Sequence, residues 1–234
     1  MLRNGIISSF LASAIYAGNA EIKEALGRIA QNGTSSRSLG GTVSDVGGYG
    51  CWCYIDSTHG KGRGKPLDEL DAECKTLHHN YECLIMESEL GGAEACNVDP
   101  WEVAYLRSVE VYAAMFNLDE IAVQSACETA NAGDMCAVNV CKVEMSFSIR
   151  IAAHDTVGNT NPDYVHDNGF NPLTDETCPI KSGTPSERAC CGSYPNRFPF
   201  KSYGGNRDCC GTHTFDTSML ECCADQTTKF IGTC

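Results

Sequence analysis

Sixteen cysteines in 234 residues set the terms on which this chain can fold. They are Cys51, Cys53, Cys74, Cys83, Cys96, Cys127, Cys136 and Cys141, then Cys178, Cys190, Cys191, Cys209, Cys210, Cys222, Cys223 and Cys234. The number is even, and the gap between Cys141 and Cys178 divides them into two groups of eight, which predicts two separately closed disulfide modules. Zinc is the rival use of so many thiols. It needs C-x2-4-C knuckles converging on one ion, whereas the close pairs here are C-x-C and vicinal C-C. Disulfides are therefore the expectation, and with them an oxidising, extracellular compartment and a secreted protein. Sequence leaves the connectivity open, because eight cysteines in one module allow 105 pairings.

The formal net charge of −13 argues against nucleic acid and against anionic membrane surfaces as partners, since both call for a basic face. Simple solubility and an acidic matrix protein that gathers calcium both fit that charge. No stretch approaches the ~20 apolar residues of a transmembrane segment. At the N-terminus, Arg3, a mildly apolar run from Ile6 to Ala17 and then Gly18-Asn19-Ala20 follow the order of a signal peptide. The apolar positions Ile6, Ile7, Phe10, Leu11 and Ile15 also fit one face of a helix, and a retained helix is the expectation. Asn32-Gly33-Thr34 is a glycosylation sequon, which makes Asn32 a candidate glycan site.

Periodicity then divides the chain. Residues 1–48 read as a helical segment followed by a Ser/Gly-rich loop. A helix opens near Asp68 and runs to Leu90, where Gly91-Gly92 breaks it. Pro100 stands at the favoured first position of another helix, and Leu118 to Thr129 is a further amphipathic one that closes on Cys127. From Cys141 to Ile151 the period becomes two: Cys141, Val143, Met145, Phe147, Ile149 and Ile151 alternate with Lys142, Glu144, Ser146, Ser148 and Arg150. That alternation predicts a long β-strand, ending a domain over 49–152 and in need of a pairing partner. Residues 153–177, rich in Asn, Asp, Pro, Thr and Gly, read as a linker. The carboxylates near Asp155 and Asp163 lack calcium-loop spacing. Residues 178–234 carry half the cysteines with little apolar material, so that module is expected to be held by staples rather than by a core.

Chemistry concentrates between Tyr49 and Cys83. Tyr49-Gly50-Cys51-Trp52-Cys53 is followed by Gly62-Arg63-Gly64-Lys65-Pro66-Leu67-Asp68-Glu69-Leu70-Asp71 and then by Cys74-Lys75-Thr76-Leu77-His78. This succession resembles secreted phospholipase A2, with its Y-G-C-x-C, its G-R-G-x-P-x-D-x-x-D loop and its C-C-x-x-H-D helix; the divergent resemblance covers residues 49–141. It implies a mainly helical, disulfide-rich domain. His78 would be the general base that takes a proton from water attacking an ester carbonyl, Glu128 would orient it, and calcium would polarise the carbonyl. Three departures bear on that implication. The residue after His78, where the family has its calcium carboxylate, is His79; the loop after Cys53 is longer, leaving Asp56 as the candidate metal ligand there; and Lys75 stands where the family has a second cysteine. His78 and Glu82, four apart on one helix face, offer an alternative pair of zinc ligands.

The vicinal pairs Cys190-Cys191, Cys209-Cys210 and Cys222-Cys223 recur at intervals, and the stretch CCGTHTFDTSMLECC resembles the di-cysteine repeats of galaxins, extracellular matrix proteins of corals. That resemblance implies assembly and no catalytic residues. The combined expectation is an α+β chain: a phospholipase A2-like helical domain with a long strand, then a small cysteine-knotted loop and β module. Its expected function is that of an extracellular structural protein, a matrix or filament subunit that associates with itself through strand 141–151, with no cofactor required. The alternative is a secreted calcium-dependent phospholipase A2 working through His78.

Overall fold

A computed structural model describes residues 48–53, 62–89, 96, 119–153, 161–180 and 187–234. The expected N-terminal helix, Asn32, Asp56 and the helix expected at Pro100 lie outside the described residues. The elements are helix α1 (Glu69–Glu89), α2 (Glu120–Ala130) and α3 (Met135–Ala153), short 3-10 turns at Pro162–Tyr164 and His166–Asn168, and six strands. These are β1 (Arg188–Cys191), β2 (Phe198–Lys201), β3 (Arg207–Cys210), β4 (His213–Asp216), β5 (Leu220–Cys222) and β6 (Thr228–Phe230). The chain is thus disulfide-rich and α+β.

Helix α1 begins where Asp68 Oδ1 accepts from the Asp71 amide at 2.9 Å. Leu70, Cys74, Leu77, Tyr81 and Leu84, spaced three and four apart, form its buried stripe. Helix α2 is capped by Asp119, which accepts from the Ala122 amide at 2.8 Å. The turn at 131–134 reverses the chain, and Asp134 accepts from the Ala137 amide at 3.0 Å to start α3. Cys127–Cys141 staples α2 to α3, and Cys96–Cys136 fixes the start of α3.

Residues 141–151, expected as a strand, lie inside α3. The reason is burial on every side. Val143 through Ser148 are all buried, so six successive residues of the helix show no solvent face on which a 3.6-residue period could be written. Of the alternate polar residues, Glu144, Ser146 and Ser148 are also interior and bond within the fold. Ser148 Oγ donates to the Glu144 carbonyl at 2.8 Å, Gln124 Nε2 donates to Ser146 Oγ at 3.0 Å, and the Tyr81 hydroxyl donates to Glu144. A segment committed to an interior helix is not a strand edge offered to another copy.

The disulfides do not divide eight and eight. All sixteen cysteines are paired, and two bonds cross the expected boundary: Cys51–Cys178 and Cys83–Cys190. They close loops with sequence separations of 127 and 107, each worth on the order of 4–5 kcal/mol in the chain-entropy account. The described part of the expected linker is likewise packed. The Gly50 amide donates to the Tyr164 carbonyl at 2.9 Å, the His166 amide donates to the Gly48 carbonyl at 2.8 Å, and Tyr164, Val165 and Phe170 lie against the core. Arg63 completes the strap, donating from Nε to the Cys178 carbonyl at 2.9 Å and from Nη1 to the Leu173 carbonyl at 2.7 Å, and pairing with Asp175.

The C-terminal module consists of three two-stranded antiparallel hairpins, β1–β2, β3–β4 and β5–β6. It is a ladder rather than a knot, because Cys191–Cys209, Cys210–Cys222 and Cys223–Cys234 follow one another without crossing. The first hairpin lies on α1. There the buried Asn80 donates to the Pro195 carbonyl at 2.8 Å and accepts from the Arg197 amide at 3.0 Å, while Arg197 Nε donates to Glu87 at 2.6 Å. Among the described residues, no helix is long and apolar enough to cross a membrane.

Peptide mapping of the unreduced protein should recover Cys51–Cys178 and Cys83–Cys190 as cross-links between the helical part and the C-terminal part. Recovery of two closed sets, one within 51–141 and one within 178–234, would contradict this fold.

Candidate functional site

The loop carrying Cys51 and Cys53 is tied to α1 by one side chain. Asp71, fully buried, accepts from the backbone amides of Trp52 at 2.7 Å, Leu67 at 2.9 Å and Cys51 at 3.0 Å. Burial pushes its pKa up while those three donors pull it down. The fit is tight enough to demand glycine: Gly50 has φ +61°, and a Cβ there would meet the Asp71 carboxylate at 2.5 Å. Cys53–Cys74 clamps the same loop to the helix. Tyr49 donates to Asp68 and accepts from the Asn161 amide at 3.2 Å; burial, then the Asp68 bond, raise its pKa.

That clamp presents Trp52 to the next turns of α1. The Trp52 ring lies 5.4 Å from His79, edge to face, and 6.1 Å from His78, and Lys75 Nζ stands 5.1 Å from its centroid. Its indole N–H donates to the Gly64 carbonyl at 3.2 Å. A Cβ on Gly62 would strike Trp52 at 2.5 Å, so this close approach also requires glycine. The histidines, Trp52, Tyr81, Glu82 and Ile85 form one wall of an open groove of about 460 Å³. The opposite wall comes from the first hairpin: Arg188, Pro199, Phe200 and Lys201.

The electrostatics of this groove are cationic. His79 is held down to about 4, first by burial and then by the nearby Lys75, His78 and Arg188. Burial also lowers the Lys75 pKa. Glu82 is the sole carboxylate among the described lining residues, and it is ion-paired with Arg188.

Against the sequence expectations, the structure places His78 and His79 together on the groove wall and turns Leu77 into the core, 2% exposed. Glu128 is not part of this wall; it is ion-paired with Lys142 at 2.6 Å on an exposed face of α2. His78 and Glu82 share the groove, but among the described residues no group of three or more His, Cys, Asp or Glu side chains could hold a metal. Calcium binds through hard oxygen donors. Where the resemblance calls for a carboxylate, the described residues offer a neutral imidazole among cations, a poor donor for that ion. Sequence reading missed Arg188, Phe200 and Lys201, which lie more than a hundred residues from the histidines. The one signal for them was Cys190, whose pairing with Cys83 brings β1 to this helix.

No family model, curated protein or solved structure matches the chain.

The folded state binds a proton at His79 only near pH 4, whereas the unfolded chain binds one near pH 6.5. The stabilisation from keeping this imidazole neutral is therefore complete above about pH 6.5, and it is lost as pH falls towards 4. The loss is on the order of 3 kcal/mol. Urea unfolding of the oxidised protein at pH 7.5 and 4.5 should show a smaller pH dependence in His79→Gln than in the parent. Equal dependence in both proteins would contradict this account. Asp71→Ala should cost about 3 kcal/mol at pH 7.5 in the same assay, because it strands three backbone donors; a cost under 1 kcal/mol would overturn the clamp.

Proposed function

We propose that this protein is an extracellular structural subunit, built on a phospholipase A2-like helical scaffold that no longer supports calcium-assisted catalysis. The observation that carries this reading is the setting of His79. A histidine held neutral by burial, pressed edge-on to Trp52 and flanked by Lys75 and Arg188, occupies the place that metal chemistry would give to a carboxylate. Hydrolysis of an ester in this manner needs a cation to stabilise the developing oxyanion, and the charges already present repel one.

What remains is a covalently locked body. Eight disulfides, together with the absence of any described helix able to span a membrane, fit an oxidising, extracellular environment. Secretion and self-association belong to the proposal. With α3 interior, the described apolar side chains available for association include Met219, Phe230 and Ile231 of the last hairpin, each more than half exposed.

The second reading, a calcium-dependent phospholipase, draws on His78 lining an open groove beside Tyr81. Phospholipid vesicles at millimolar calcium separate the two. The structural reading expects no fatty-acid release above blank, and the same result for His78→Gln. Release that requires calcium and disappears in His78→Gln would replace it with the enzyme. Sedimentation of the full chain over a hundredfold range of concentration should reveal species larger than the monomer. A monomer throughout would remove the assembly role.

A further inference from the structure

Traced through covalent bonds alone, the chain has an unusual economy. Cys51–Cys178 and Cys83–Cys190 overlap, and together they span every peptide bond from residue 51 to residue 190. Beyond that point Cys191–Cys209, Cys210–Cys222 and Cys223–Cys234 close three loops in series. The only peptide bonds between Cys51 and Cys234 not bridged by a disulfide are therefore Cys190–Cys191, Cys209–Cys210 and Cys222–Cys223. Each is the bond inside a vicinal pair.

Strand geometry explains how the pairs do this. Successive residues of a strand point to opposite faces, so two adjacent cysteines reach in opposite directions. Cys190 reaches back to α1 and Cys191 forward to β3; Cys209 reaches back to β1 and Cys210 forward to β5. The path Cys83, Cys190, Cys191, Cys209, Cys210, Cys222, Cys223, Cys234 thus runs the length of the module, with Cα–Cα spans of 5.3, 5.4 and 5.4 Å across its last three disulfides. Residues 192–208, 211–221 and 224–233 hang beside this path and bear none of its tension. Stapling alone would not require such an arrangement, since a bond closing each hairpin on itself would hold its two strands. Cys191–Cys209 and Cys210–Cys222 instead join each hairpin to the next, while Cys223–Cys234 closes the last, and together they shorten the covalent distance from one end of the module to the other.

We propose that the C-terminal module is a load-bearing tether of covalently fixed length between the helical body and the last hairpin. The loops 192–208, 211–221 and 224–233, which carry β2, β4 and β6, can unfold or be cut without lengthening or severing the connection. The module is suited to this because its hairpins have little else to hold them. Among the described apolar and cysteine side chains beyond Cys178, only Cys191, Tyr194, Pro195, Phe200, Cys210 and Cys223 are buried. Hydrogen-bonded pairs of three or four residues would open readily under tension if they lay in its path. The tether deepens the structural reading and rests on it for biological purpose, while its mechanics depend on the ladder alone.

Single-molecule stretching of the full chain, held by tags at its two ends without reductant, tests the proposal. Opening Cys210–Cys222 in a Cys210→Ser, Cys222→Ser double variant frees a loop of sequence separation 12, so it should add about 40 Å of contour length over the parent. Opening Cys191–Cys209 in a Cys191→Ser, Cys209→Ser variant frees a separation of 18 and should add about 60 Å. Two different lengths, each set by its own loop, distinguish loss of the tether from general misfolding. Variants that extend no further than the parent, or both by one common length, would overturn the proposal. Limited proteolysis of the unaltered protein provides a second measurement. Cuts within 192–208, 211–221 or 224–233 should leave a single full-mass species until reductant separates the pieces; fragments that separate without reductant would refute it. A monomer in sedimentation combined with these extensions would remove the assembly role and leave the tether standing.

Discussion

The Asp71 carboxylate has exchanged water for the backbone amides of Cys51, Trp52 and Leu67, and the helical half depends on that exchange. A buried charge is costly unless it is fully bonded, and here the bonding is supplied by a loop that must come close to do so. Gly50 makes the approach possible, Cys53–Cys74 keeps it closed, and Trp52 is thereby laid against Lys75, His78 and His79. One carboxylate thus sets the position of the groove wall, while Cys51–Cys178 carries the same loop's constraint to the strap at 161–178.

Around that clamp the protein combines two kinds of stability. The helical half has a conventional interior: α3 lies between neighbours with Val143, Met145, Phe147 and Ile151 buried, and its Glu144, Ser146 and Ser148 are hydrogen-bonded inside. The hairpin half has almost none. Its first hairpin borrows burial from α1 through Asn80 and Arg197, and the later two are held in series by disulfides. This division suits a body that must keep its shape joined to a module that must keep its length.

At the groove, charge decides what the arrangement can do. An imidazole held down to about 4 is neutral at physiological pH, and the lysine and arginine around it favour that state. The electrostatics of the groove are therefore turned against a metal cation. Much of this was legible in the residues. The tandem histidines could be read directly, as could helix α1 between Asp68 and the break at Gly91-Gly92 and α2 from its amphipathic run. Glu128 could not be placed, because a carboxylate beside a cysteine in sequence says nothing about the direction in which its helix points it.

The sequence by itself determined the chemistry of the cross-links, the α+β character, the two helices with a solvent face and the residue types on the histidine wall of the groove. Those properties are local: they follow from composition, from periodicity across a few turns and from the identity of single side chains. Only the tertiary structure decided that residues 141–151 are helical, because a segment buried on all sides loses the pattern that tells helix from strand. It alone paired Cys51 with Cys178 and Cys83 with Cys190, since connectivity depends on which loops come within a disulfide's reach. The opposite wall of the groove, with Arg188, Phe200 and Lys201, follows from that pairing. The ladder follows as well, because a vicinal pair becomes a rung only when each of its two directions finds a partner.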